Sequence, residues 1–136
     1  MHSYFLFLLD VCGENWTFFN GYCYLTSNTC LSWKQSESAC AVLGSGLVSV
    51  HNYEENVFIQ QQHNGEKSWV GLSDVTSEGR FVWADGSPTN FTNWAPNQPN
   101  DYKNQDCVHT LGVNYGYKWN DVQCSSCHNY TCKRGV

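Results

Sequence analysis

The spacing of apolar positions along this chain changes several times, and each change marks an element. From Trp16 to Leu25 aromatic residues alternate with turn formers, and Asn20-Gly21 between two short runs predicts a hairpin. Over residues 32–43 the spacing becomes helical. Trp33, Ser36, Cys40 and Leu43 fall on one face, Ser32 and Gln35 have capping-box spacing, and Gly44 and Gly46 end the run. Leu47-Val48-Ser49-Val50 predicts a strand. Asn52 and Glu55 repeat the capping-box spacing and open a second helix to about residue 62, with Val57, Phe58 and Gln61 toward the core. Glu54 and Glu55 read as first-turn acids favoured by the helix dipole.

Beyond residue 62 the helical period is lost. Short strands are predicted at 68–72, 80–83, 107–111, 117–119 and 129–133, separated by turn-rich segments. Residues 85–104 contain Pro88, Pro96 and Pro99, the three prolines of the chain, and little periodicity. A loop of about twenty residues is uncommon in a compact domain and is usually functional. This one is dense in oxygen-bearing side chains.

Composition narrows the class. A chain of 136 residues fits one domain. Twelve acids against seven bases, net charge -5, argue against nucleic acid as a partner. Aromatic residues (15%) outnumber charged ones (14%), the reverse of a disordered chain. No apolar run reaches the roughly 18 residues of a membrane span. The apolar patch Tyr4 to Leu9 is similar to the end of a secretory signal, though no basic segment precedes it. Residues 1–11 are therefore read as a signal remnant or N-terminal extension, and 12–136 as the domain. Eight cysteines and three glycosylation sequons, at Asn15, Asn90 and Asn129, favour a secreted glycoprotein with disulfides.

Ordered fragments carry a family resemblance. They are Trp33 with Cys40, Leu47-Val48-Ser49-Val50, Trp69-Val70-Gly71-Leu72, Phe81-Val82-Trp83-Ala84-Asp85-Gly86, Trp94-Ala95-Pro96, Gln98-Pro99-Asn100, Asp106-Cys107, Trp119-Asn120-Asp121, and Cys124 through Cys132. In this order and spacing the chain resembles a C-type lectin-like domain of the long form. The resemblance implies an α+β fold: two helices flanking small antiparallel sheets, with a long calcium-binding loop. It also implies the disulfides Cys12–Cys23, Cys40–Cys132 and Cys107–Cys124. Cys30 and Cys127 remain. An intrachain bond between them is the first reading, and a bond from either to another chain is the rival. A redox Cys124-x-x-Cys127 pair and a zinc site of Cys124, Cys127, His128 and Cys132 are weaker alternatives.

The same resemblance maps a sugar-binding calcium site onto Gln98, Asn100, Gln105, Asn120 and Asp121, with Pro99 matching the family's cis-proline. Calcium takes six to eight oxygen ligands, and carboxylates set its affinity. Here amides stand at Gln98 and Gln105 where the family's sugar binders often carry a carboxylate, and only Asp121 is charged. Weak, extracellular-range affinity is expected. Asp74, Glu78, Asp101 and Asp106 map to an auxiliary calcium position that braces the loop. Tyr102 occupies a place where galactose-type members often stack an aromatic ring on the sugar. The expected function is calcium-dependent binding of terminal sugars, leaning to galactose or N-acetylgalactosamine over mannose, in innate recognition. Homo-oligomers would supply avidity. The alternative is a non-sugar domain of the same fold that binds a protein, ice or a mineral surface. The histidines show no catalytic or metal spacing and no nucleophile motif is present, so no enzyme is expected.

Overall fold

The computed structural model describes residues 11–101 and 104–136. Tyr102 and the patch at residues 4–9 lie outside the described residues. Strands β1 (Thr17–Phe19) and β2 (Tyr22–Leu31) form the predicted hairpin, with Asn20 and Gly21 at φ 48° and 95°. Two central residues at positive φ match the twist of the flanking strands.

Helix α1 (Trp33–Val42) carries the expected capping box. Ser32 Oγ accepts from Gln35 N and Gln35 Oε1 accepts from Ser32 N, at 3.2 and 3.0 Å. Trp33, Ser36 and Cys40 are buried, whereas Leu43 is the C-cap and is half exposed, because the chain has left the helix there. Strand β3 (Gly46–Leu47) is only two residues long. It packs so closely on the chain at Gly71 that a Cβ there would lie 2.6 Å from Leu47 O.

Helix α2 (Tyr53–Gln61) departs from expectation. Its buried residues are Glu55, Asn56, Ile59 and Gln60, while Val57 and Phe58 are half-buried and Gln61 is exposed. The reason is polar pairing across the core. Glu55 accepts from Tyr24 Oη at 2.5 Å, Lys133 Nζ at 2.6 Å and His51 N at 2.8 Å. Asn52 Oδ1 does cap Glu55 N, at 2.8 Å, but the Glu55 carboxylate reaches back to His51 N rather than to the N-cap amide, and its other oxygen serves Tyr24 and Lys133. Buried charge is tolerated when paired and hydrogen-bonded in this way.

The remaining strands are β4 (Ser68–Ser73), β5 (Val82–Trp83), β6 (Cys107–Thr110), β7 (Trp119–Val122) and β8 (His128–Gly135). They join one sheet in the order β1-β2-β8-β4-β6-β7, with β3 on β8 and β5 on β4. Every pair is antiparallel except β4 with β8, so the sheet is mixed. β7 begins two residues later than predicted, because Tyr117 stands at φ 59° and cannot extend a strand. One core cluster joins Tyr24, Val48, Val50, Ile59, Val70, Leu72, Trp83, Val108 and Trp119. The other centres on Trp33, Leu47 and Trp69 with two disulfides.

All four expected disulfides are present: Cys12–Cys23, Cys40–Cys132, Cys107–Cys124 and, intrachain, Cys30–Cys127. The zinc and redox alternatives fall with them, since Cys124, Cys127 and Cys132 each pair with a distant cysteine.

Two histidines are buried in the neutral form. His63, paired with Thr131 Oγ1 at 2.8 Å, and His109, bonded to Thr110 O at 3.0 Å, are both pushed down to about 4 by burial. The unfolded chain binds protons near pH 6.5 and the folded chain does not, so stability is full above that pH and falls as pH drops toward 4. Each histidine contributes a slope of up to about 1.4 kcal/mol per pH unit. Urea unfolding of His63→Gln between pH 7 and 4.5 should show a shallower loss than the parent. An equal slope would show that His63 is protonated in the folded state.

Candidate functional site

Among the described residues the long loop bridges to the sheet where Trp94 pairs with Trp119. Trp119 N donates to Asn93 O and Ala95 N donates to Trp119 O, both at 2.8 Å. The Trp119 indole is fully buried and meets Trp83, Phe91 and Trp94 edge-on at 5.8, 5.8 and 6.2 Å between centroids. Its Nε1 donates to Asn56 Oδ1 on α2 at 2.8 Å. Aromatic edges and a satisfied indole fix the start of β7, and the next two residues are Asn120 and Asp121.

Asp121 draws the loop across to β7. Its carboxylate is fully buried, and its two oxygens accept from Asn100 N at 3.1 Å and Asp101 N at 2.7 Å. The Gln98-Pro99 bond is cis. Among the described residues, Gln98 Oε1 and Asn120 Oδ1 are buried acceptors without a hydrogen-bond partner. The chain at Asn100 thus meets Asp121, with Gln98 two residues before the one and Asn120 next to the other, while Gln105 is half-buried ahead of β6.

Beside this edge lie Asp74, Glu78, Asp101 and Asp106, whose carboxylate oxygens fall within 4.8 Å of one another. Asp74 Oδ2 accepts from Gly79 N at 2.8 Å, and Asp74 N donates to Asp106 O at 2.9 Å. Asp74 Oδ1 and Asp106 Oδ1 are buried without a donor. Such crowding disfavours ionisation. Glu78 is pushed up to about 7, first by proton sharing with Asp74, then by burial and by its acidic neighbours. Asp106 is pushed up to about 6 by burial and then by Asp74 and Asp101. Orphaned buried oxygens at both places are what an oxygen-loving cation would satisfy.

Asn56, Gln60 and Asn93, which no motif in the sequence marks, support the loop through Tyr117 O and the Trp119 indole. The amide pair Asn56 and Gln60, four residues apart and so on one helix face, was the available signal.

A fold of this topology, with a disulfide-tied long loop and a cis-proline edge facing a Trp-Asn-Asp strand, defines the C-type lectin class. The Lectin C-type domain model matches residues 29–134, and the chain belongs to that family. Its members are binding modules, and the chain is not an enzyme. The chain is 40% identical over 118 residues to the mouse low affinity immunoglobulin epsilon Fc receptor, covering 86% of this chain and 35% of the receptor. It thus spans about a third of that protein. It is 38% identical over 129 residues to an alpha-N-acetylgalactosamine-specific lectin of Patiria pectinifera, covering 87% of this chain and 77% of the lectin. The carbohydrate-recognition domain of cow CD23, solved in the presence of a GlcNAc2Man3 oligosaccharide, superposes with TM-score 0.85 at 38% identity over 92% of this chain and 96% of that one. A calcium-independent type II antifreeze protein superposes with TM-score 0.83 at 28% identity over 91% and 94%. Among the described residues no helix is long and apolar enough to cross a membrane.

Crowded carboxylates make a direct prediction. In EDTA at pH 7.5, Glu78→Gln should raise the melting temperature by a few degrees, on the order of 2–4 °C. The gain should shrink toward pH 5, where Glu78 carries its proton in the parent protein. A lower midpoint at both pH values would show that the four acids do not repel one another.

Proposed function

We propose that this chain is an extracellular, calcium-dependent lectin domain that binds terminal sugars of the galactose or N-acetylgalactosamine type. The observation that carries the reading is the edge formed by Gln98, Asn100, Asn120 and Asp121, with two buried amide oxygens lacking donors. C-type lectin domains commonly bind calcium, and these oxygens with Asp121 and Gln105 form a fitting donor set. An ion held there would supply a Lewis-acid contact for sugar hydroxyls. The side chains do the rest. Gln98, Asn100, Gln105 and Asn120 can each donate and accept, while Asp121 only accepts.

Amide-rich ligands impose no single donor order, so they admit more than one hydroxyl geometry. The lean to galactose types rests on Tyr102, two residues past Asn100 in the sequence, and on the similarity to the Patiria lectin. Asp74, Glu78, Asp101 and Asp106 would hold a second ion that neutralises their repulsion and braces the loop. One shallow sugar site binds weakly, so oligomers would supply avidity, and recognition of microbial or cell-surface glycans is the fitting role. Four disulfides fit an extracellular, secreted placement.

A second reading has its own support. The antifreeze neighbour shares the fold without calcium, and Asp121 is the one carboxylate among the five mapped sugar-site ligands. In that reading the loop edge presents its amides to a protein, ice or a mineral surface.

A glycan array in calcium and in EDTA separates the two. Calcium-dependent binding to galactose-type termini, inhibited better by N-acetylgalactosamine than by mannose, is expected. Asp121→Asn should weaken it about tenfold or more, and Gln105→Glu should raise calcium affinity about tenfold. Absence of any calcium-sensitive glycan signal, with thermal hysteresis or protein capture in its place, would establish the second reading.

A further inference from the structure

One main-chain oxygen collects donors from both α2 and the long loop. Tyr117 O accepts from Asn56 Nδ2 at 3.0 Å and Gln60 Nε2 at 2.8 Å on α2, and from Asn93 Nδ2 at 2.8 Å on the long loop. Three donors on one carbonyl exceed its usual two. The residue that offers it stands at φ 59°, a left-handed conformation uncommon for tyrosine. Asn56 and Gln60 are fully buried, and Gln60 Nε2 also donates to Asn56 Oδ1 at 2.7 Å. Asn56 Oδ1 takes the Trp119 indole as well, at 2.8 Å. Gln60 Oε1 accepts from Gly112 N at 2.9 Å. Asn93 Oδ1 accepts from Lys118 Nζ at 3.0 Å.

The two segments gripped here are the roots of the two halves of the candidate site. Asn93 precedes Trp94 and Ala95, and Gln98 N donates to Ala95 O at 3.0 Å, so this root leads to Gln98 and Asn100. Tyr117 and Trp119 precede Asn120 and Asp121. These side-chain amides join the two roots below the site, beside the main-chain bonds of Trp119 to Asn93 and Ala95.

We propose that Asn56 and Asn93, holding the Tyr117 carbonyl from α2 and from the long loop, are positioning residues for the sugar edge: they help fix the separation of the Gln98/Asn100 half from the Asn120/Asp121 half. This rests on the reading of that edge as the calcium and sugar site. It deepens that reading, because a site with a single carboxylate has little Coulomb attraction with which to pull a loose loop together. Preorganisation then replaces charge as the source of usable affinity.

The test uses Asn56→Asp and Asn93→Asp. Each keeps the shape and the Oδ1 acceptor but sets a second acceptor oxygen, with a carboxylate charge, against Tyr117 O; Asn93→Ala, which adds no charge, separates loss of the donor from the added charge and serves if the buried change prevents folding. Amide exchange in EDTA gives a readout that needs no metal. Exchange at Ala95, Trp119 and Gln98 should speed about tenfold, with the amides of β4 and β8 unchanged. Calcium titration followed by amide spectra should show the Asn120 response weakened about tenfold and the Gly79 response, which reports the acidic cluster, within about twofold. The double variant should lose no more than either single change, because both act through one carbonyl. Uniformly faster exchange with unchanged affinity at Asn120 would reduce these residues to general stabilisers and overturn the proposal. If the parent's Asn120 amide ignores calcium and sugar altogether, the site reading fails, while the exchange pattern still decides whether the clamp positions the edge.

Discussion

A loop of about twenty residues with no ladder of its own keeps a fixed surface only when other elements satisfy its backbone. Here the start of β7 does so. Trp119 gives its amide to Asn93 and takes the amide of Ala95, and its indole is locked by Asn56 and three aromatic rings. Truncating a buried tryptophan of this kind costs about 3–5 kcal/mol. In this chain the loss would fall on the loop first, since the cluster around Trp119 is where loop, sheet and α2 meet. The Cys107–Cys124 bond ties the far end of the same region to β6.

Charge is distributed unevenly around this anchor. Asp74, Glu78, Asp101 and Asp106 converge, and Glu78 and Asp106 hold their protons above the ordinary carboxylate range. The neighbouring edge has Asp121 alone, already engaged with two backbone amides. Repulsion in one place and shared amides in the other ask different things of a cation: the first needs its charge, the second its coordination. Occupancy of the acidic cluster would bear on the edge through Asp101, whose amide rests on Asp121.

Much of the fold was legible in the sequence. The Asn20-Gly21 turn, the Ser32–Gln35 box and the ordered Trp and Cys fragments each specify local geometry that tertiary packing preserves. Helix α2 was misread because periodicity arguments look for apolar faces. Its buried side is Glu55, Asn56, Ile59 and Gln60, tolerable only through partners on β2, β8 and the loop that no local pattern announces. The start of β7 shifted for a similar reason: Tyr117 is held left-handed by three distant amides. Asp74, Glu78, Asp101 and Asp106 were legible only through the resemblance. Their closeness arises from pairing of β4 with β6 and from the loop's return to β7, both long-range events.

The central claim is that the amide-rich edge is a cation and sugar site preorganised from below. A crystal grown with calcium and N-acetylgalactosamine tests it most directly. The account predicts an ion about 2.3–2.6 Å from Gln98 Oε1, Asn120 Oδ1 and Asp121, the distances calcium takes to oxygen, with two sugar hydroxyls completing its shell. Calcium density confined to Asp74, Glu78, Asp101 and Asp106, with no sugar at the edge, would contradict it.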